Sequence, residues 1–251
     1  MNDLNVKMDA LIKEVRRNPD GKKRMYSKTF WGQLKIERRL TQRVADVKQY
    51  LEDQGITIST VKNNFGSEEP TDWITLQHWD ISYPPDAWFA DMSNKVYDNE
   101  HEVNVFFLTP LFTALGYQEE DFTFEYKIDI ADKATGRRSR KKAVDLALFD
   151  GTDRADANLL VICEAKMPDK PNSRPRMKNL KTAENDLKYY KMGASTAKRF
   201  VATNGDIVKV FTAGENDLVE RFKVHRSVFK DHWPGLYLNL GKPILVKELK
   251  G

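Results

Sequence analysis

Two apolar runs that carry charge where a core rarely tolerates it constrain this chain more than any other feature. Ala143-Val144-Asp145-Leu146-Ala147-Leu148-Phe149 brackets a single carboxylate with apolar residues. Leu159-Leu160-Val161-Ile162-Cys163 ends in Glu164-Ala165-Lys166. Both read as buried strands. Side chains alternate between the faces of a strand, so Glu164 and Lys166 point one way and Ala165 the other. Charged side chains are seldom buried unless paired or bound to a metal. If the two strands pair through the polar 151–158 turn, Asp145 and Glu164 lie side by side.

Composition narrows what such a pair can belong to. At 251 residues the chain has material for one large domain, or for a domain with a smaller attachment. No apolar run approaches the roughly 20 residues that span a bilayer, and the N-terminus lacks a signal-peptide core, so a cytoplasmic protein without membrane contact is expected. The single cysteine, Cys163, excludes an internal disulfide and a cysteine-based zinc cluster. The four histidines, His78, His101, His225 and His232, show no metal-ligand spacing. The net charge of +4 conceals segregation along the chain. Residues 1–50 hold 13 Lys/Arg against 6 Asp/Glu, residues 51–133 hold 4 against 17, and residues 134–200 hold 16 against 8. Basic segments flanking an acidic one point to a polyanion, nucleic acid first, although solvated helix faces carry the same charges. The acidic 51–133 segment is a candidate contact for a protein partner.

Helical spacing of Leu4, Met8, Leu11, Ile12 and Val15 predicts a first helix, stopped by Asn18-Pro19-Asp20-Gly21. A short basic helix follows from Thr29. Thr41 reads as the N-cap of another helix reaching Asp53. Ile56-Thr57-Ile58 and Trp73-Ile74-Thr75-Leu76 are candidate partner strands. Residues 1–80 thus read as a small, mainly helical module, either winged-helix-like, with Lys35, Arg38, Arg39, Arg43 and Lys48 available for phosphates, or a helical domain that packs on its neighbour. An aromatic connection containing Pro84-Pro85 is expected at 81–91, and a second domain over 92–251.

That second domain opens with an expected helix over 92–114, kinked or divided at Pro110. Strands follow at 122–130, at Asp145 and at Glu164. A helix over 177–192, a strand at 200–203, a hairpin at Asn204-Gly205 and a return strand at 208–211 complete it. The order is α/β with a mixed central sheet.

Hydrolysis of a phosphodiester with a divalent metal needs carboxylates for the ion, help in forming the attacking hydroxide, and positive charge against the transition state. Asp145 and Glu164, the carbonyl of Ala165 and the ammonium of Lys166 are of those types. Val144-Asp145 followed by Ile162-Cys163-Glu164-Ala165-Lys166 resembles the PD-(D/E)xK nuclease motif. More closely, the chain is similar to the N-terminal nuclease domain of type I restriction enzyme R subunits and their stand-alone relatives. The stretch from Asn99-Glu100 through Pro110-Leu111 to Leu115-Gly116-Tyr117 is similar to that family's first helix. Asp186-Leu187-Lys188-Tyr189-Tyr190 stands where the family has Gln-x-x-x-Tyr, and Thr203-Asn204-Gly205 matches its hairpin. The 30–58 segment resembles, less specifically, a helical module found ahead of such domains.

The resemblance implies a restriction-endonuclease-like core and a Mg²⁺-dependent DNA endonuclease, Mn²⁺ substituting, in a restriction or phage-defence setting. It implies Asp145 and Glu164 as metal ligands with the Ala165 carbonyl, and Lys166 as the catalytic lysine. Glu100 is the helix-borne acid, with Glu102 as the alternative, and Tyr190 is the motif tyrosine. DNA contacts are expected from Arg137, Arg138, Arg140 and Lys141 at a hairpin tip, Lys181 and Lys188 on a helix, and Arg38 and Arg39 in the first module. One site per chain implies a homodimer, or two sequential nicks, for a double-strand cut. Asp186 in place of the usual Gln adds a negative charge and leaves that motif's role open. No Gly-x-x-x-x-Gly-Lys-Ser/Thr sequence occurs, so no ATP site is expected in this chain. The alternative is a non-catalytic nucleic-acid-binding module, or a nuclease subunit active only within a larger complex.

Overall fold

A computed structural model describes residues 3–18, 21–62, 64–130, 140–169 and 177–250. The chain divides into two compact units, Met1–Ile81 and Ser82–Gly251.

In the first unit, α1 (Asp3–Arg17) buries Met8, Leu11, Ile12 and Val15, the stripe expected of a 3.6-residue period. It is followed by β1 (Lys22–Tyr26), α2 (Ser27–Gln33), α3 (Thr41–Asp53), β2 (Ile56–Thr60) and β3 (Trp73–His78). The strands form an antiparallel sheet in the order β1-β3-β2. Phe30, Trp31, Leu34, Val47, Leu51, Ile56, Ile74 and Leu76 complete the core against α1. The basic helix expected from Thr29 begins earlier, at Ser27, and ends where Lys35 takes a positive φ.

Glu68, between β2 and β3, is buried. Its carboxylate accepts from Ser27 Oγ at 2.9 Å, from Trp31 Nε1, from Gly66 N–H and from Arg39 at 3.1 Å. Burial pushes its pKa up, but these hydrogen bonds prevail and hold it below the ordinary glutamate value. Arg39 also donates to the Glu68 carbonyl.

The second unit opens with α4 (Asp86–Asn94), so the expected connection at 81–91 is partly helical. Pro85 is its N-cap residue; a proline that would break a helix interior is tolerated at the start, where its missing N–H is not needed. The helix expected over 92–114 begins instead at Glu100. Asn99 caps it, accepting from Glu102 N–H at 2.9 Å, and α5 (Glu100–Val103) continues through a π-turn, Asn104–Leu108, into α6 (Thr109–Ala114). Pro110 does not divide this helix. The wider π-turn precedes it, and Thr109 Oγ1 donates to the Asn104 carbonyl there.

The six-stranded sheet has the order β4-β5-β6-β7-β8-β9: β4 (Phe122–Ile130), β5 (Arg140–Phe149), β6 (Leu159–Ala165), β7 (Arg199–Thr203), β8 (Ile207–Ala213) and β9 (Leu218–His225). Every neighbouring pair is antiparallel except β6–β7. A parallel pair needs a crossover, and α7 (Lys178–Tyr190) supplies it. Leu180, Ala183, Leu187 and Tyr190 of α7 pack with Phe149, Ile162, Phe200 and Ala202 of the sheet. The tail adds α8 (Phe229–Leu240) and α9 (Lys242–Lys250), which sequence reading left undefined; α8 packs on β9 and α4, and α9 on β6. The protein is therefore α/β, a mixed sheet flanked by helices, compatible with a restriction-endonuclease-like core. Among the described residues no helix is long and apolar enough to cross a membrane.

Candidate active site

β5 and β6 are antiparallel with Leu146 opposite Cys163, which sets Asp145 beside Glu164. Every residue of β6 is buried, Glu164 included at 4% exposure. Asp145 Oδ2 accepts from the Ala165 N–H at 2.7 Å, so the carboxylate is fixed to the neighbouring strand by its backbone. Lys166 follows the end of β6, where its N–H donates to the Thr203 carbonyl at 2.9 Å.

The Lys166 ammonium is the centre of the cluster. It donates to Glu164 Oε1 at 2.5 Å and to the Ala165 carbonyl at 3.0 Å, and it lies 3.4 Å from Glu100 Oε1 and 3.9 Å from Asp186 Oδ2. Glu100 comes from the first turn of α5. Glu102 is otherwise committed, accepting from Asp98 N–H and Asn99 Nδ2 as part of the helix cap. Asp186 comes from a half-buried position on α7, two turns after Lys178. Tyr190, one turn further, donates to the Ala143 carbonyl at 3.3 Å.

Burial and the adjacent Asp145 push Glu164 up to about 8, against the opposing pull of Lys166. Burial likewise raises Asp145, partly offset by the Ala165 N–H. Burial disfavours charge on Lys166, but Glu164, Asp145 and Glu100 outweigh it and raise its pKa. Burial and then Glu164 hold the Tyr190 phenol well above its ordinary value, so it is a hydrogen-bond donor throughout the neutral range.

Glu164 Oε2 is buried and accepts no hydrogen bond of ordinary geometry, although the Tyr190 hydroxyl lies close enough to interact with this carboxylate. A buried carboxylate oxygen left in this state is costly, and a cation beside it would satisfy it. The available donors are hard oxygens: two carboxylates and the Ala165 carbonyl. Among the described residues no three Asp, Glu, His or Cys side chains form a ready-made cage. The set fits Mg²⁺, which keeps several of its waters and needs only one or two carboxylates.

The expected DNA contacts are scattered. Arg137 and Arg138 lie outside the described residues, as does the side chain of Arg140. Lys141 and Lys181 are exposed; Lys188 pairs with Asp217 at 2.9 Å. Arg38 is exposed, whereas Arg39 is tied to Glu68. Sequence reading had not singled out Asp169. Its Oδ2 accepts from Asn204 Nδ2 at 3.2 Å and its Oδ1 from Asn179 N–H at 3.0 Å, which ties the segment after β6 to the Asn204-Gly205 hairpin and to α7.

No family model and no curated protein matches the chain. Among solved structures it is similar to a fragment described as an HsdR subunit of a type I restriction enzyme from Vibrio vulnificus YJ016. The two are 21% identical with a TM-score of 0.28, over 53% of this chain and 25% of the other. The chain thus spans about a quarter of that structure's length. A likeness of that size leaves the fold and the site to be read from the chain itself.

Proposed function

We propose that this chain is a Mg²⁺-dependent DNA endonuclease acting in restriction or phage defence. The observation that carries the reading is the pairing of Asp145 and Glu164 on adjacent buried strands, with an unsatisfied Glu164 oxygen and the Lys166 ammonium beside it. Asp145, Glu164 and the Ala165 carbonyl would hold the cation. When bound, the ion supplies a Lewis acid and lowers the pKa of its water. With the cation held there, the Lys166 ammonium beside Glu164 would offer positive charge against the charge that develops on the phosphate. Glu164, Asp145 and Glu100 favour the protonated lysine, and Asp186 lies 3.9 Å from its ammonium. Tyr190 donates a hydrogen bond at the same end of the sheet.

The test is plasmid cleavage in Mg²⁺, in Mn²⁺ and in chelator. Cleavage is expected with either ion and absent in chelator. Glu164→Ala and Lys166→Ala are expected to lower cleavage by at least about 10²-fold, as loss of a charge-stabilising group does, with DNA binding retained. Full metal-dependent activity in either variant would remove these residues from the chemistry. One observation favours the second reading, a nucleic-acid-binding module on a nuclease fold: Asp186 adds a third carboxylate around Lys166 and so engages the lysine further. Retained DNA binding with no cleavage at any metal concentration would establish that reading instead.

A further inference from the structure

The three-stranded sheet of the first unit has one face on the core and one turned away from it. Met25, Ile56, Ile58, Ile74 and Leu76 point inward, and alternation puts Lys22, Arg24, Tyr26, Thr57, Ser59, Trp73, Thr75 and Gln77 on the other face. None of the residues in β1, β2 or β3 is acidic. Tyr26 pairs across the strands with Trp73, and their rings stack with centroids 4.1 Å apart. The Arg24 guanidinium lies 4.4 Å from the Trp73 ring centroid. Tyr26 is 40% exposed, and Lys22, Arg24 and Lys28 are exposed with it. Asp72, next to Trp73 in sequence, accepts from Glu69 N–H and lies 4.0 Å from Lys62.

The contrast is with α3, the helix that a winged-helix arrangement would offer to duplex DNA. Its polar groups are turned on one another. Gln42 donates to Asp46 at 2.8 Å, Gln49 to Asp53 at 2.7 Å, and Lys48 lies 3.6 Å from Glu52. That helix presents acids alongside its bases, while the outer sheet face presents aromatic rings and cations at its β1 end, the Thr57 hydroxyl of β2 being taken up by Trp79 Nε1 at 3.0 Å.

We propose that this outer sheet face binds single-stranded DNA. An unpaired base stacks on the Tyr26–Trp73 pair, and the flanking phosphates are met by Arg24 and Lys28. Stacking on an exposed ring needs a base freed from its complement, whereas a duplex offers ring faces only at its ends; the aromatic pair therefore selects single strands, and the cations hold the backbone in any sequence. The site goes beyond the nuclease reading and is independent of it.

Binding of the full chain to a short labelled oligothymidylate, and to a blunt duplex of equal length, can be followed by fluorescence anisotropy in chelator, with intact probe checked by gel at the end of each titration. Tyr26→Ala and Arg24→Gln should each weaken oligothymidylate binding by about fivefold or more and duplex binding by less than about twofold. Tryptophan emission should fall as the oligothymidylate binds, and the fall should shrink in Trp73→Phe. Variants with a native circular dichroism spectrum that bind oligothymidylate like the parent would overturn the proposal, as would equal losses on both probes. If Tyr26→Ala does not fold, the other two variants decide alone. Plasmid cleavage by the parent chain is read separately, so failure here leaves the Glu164 site untouched.

Discussion

Glu164 holds a carboxylate where the fold would rather have none, and its titration exposes that tension. Its folded pKa of about 8 lies above the ordinary glutamate value because burial and Asp145 disfavour the charge. A carboxyl with a raised folded pKa favours the native state fully at low pH, below its unfolded value. That contribution is lost as pH rises through the folded pKa. Metal-free protein should therefore lose stability at this residue between about pH 4.5 and 8. Glu164→Gln should be more heat-stable than the parent at pH 8.5, by about 2–4 °C if the gain is near 1 kcal/mol, and indistinguishable from it below the lower end of that window. Mg²⁺ should stabilise the parent at the higher pH and leave the variant unmoved, because the ion binds the deprotonated ligand. Equal melting temperatures throughout, with and without the ion, would remove both the strain and the ion from Glu164. The choice between Glu100 and Glu102 belongs to this scale as well. Spacing left both open; in the structure Glu100 lies 3.4 Å from the Lys166 ammonium, while Glu102 accepts from Asp98 N–H and Asn99 Nδ2 in the helix cap.

Among the elements, those that packing specifies most strongly were legible from residues alone. β5 and β6 announce themselves as unbroken apolar runs, and α7 by a stripe of Leu180, Ala183, Leu187 and Tyr190. β1 was missed because Lys22-Lys23-Arg24-Met25-Tyr26 has one buried residue and four others facing away or aside, as an edge strand permits. α4 was hidden behind Pro84-Pro85, read as a break when it is a beginning. β9 alternates imperfectly because the β8–β9 register shifts at Val210/Phe211. The function of Asp186 could not be read from spacing; its approach to Lys166 depends on how the α7 crossover lies on the sheet. The loop between β2 and β3 was equally opaque, although it is tightly specified. Gly66 has φ +96°, and a Cβ there would meet Val44 Cγ1 at 2.6 Å. Gly66→Ala combines a disfavoured backbone with a clash on α3. It should cost about 1–3 kcal/mol, read as a lower urea midpoint, whereas Gly151→Ala shares the positive φ but meets nothing within 4 Å and should cost less. Equal costs at the two glycines would mean that the Val44 contact is relieved freely.

Taken over the whole molecule, the charge pattern changes meaning. The acidic 51–133 stretch straddles the division at Ile81/Ser82 and belongs to neither unit. Met1–Ile81 holds 14 Lys/Arg against 12 Asp/Glu, and Ser82–Gly251 holds 27 against 25, so each nets +2. Any contact with a polyanion would then rest on local surfaces, such as the sheet face whose strands carry no acid, and not on the bulk charge of either unit. Sequence order separated the charges, and folding mixes them again.

The lone parallel pairing in the sheet has a consequence in time. Asp145 and Glu164 meet within a hairpin, but Lys166 is anchored through its N–H to Thr203, across a crossover that brings Val161 to Arg199. Distant pairings close late, after local ones have formed. During refolding from urea, amide protection in β5 should precede protection of Lys166, and cleavage should return with the later event. Activity that recovers together with the β5 amides would contradict this order. If the order holds, a partly made chain carries the two carboxylates before it has a fixed lysine, and the candidate site is completed from its Lys166 side.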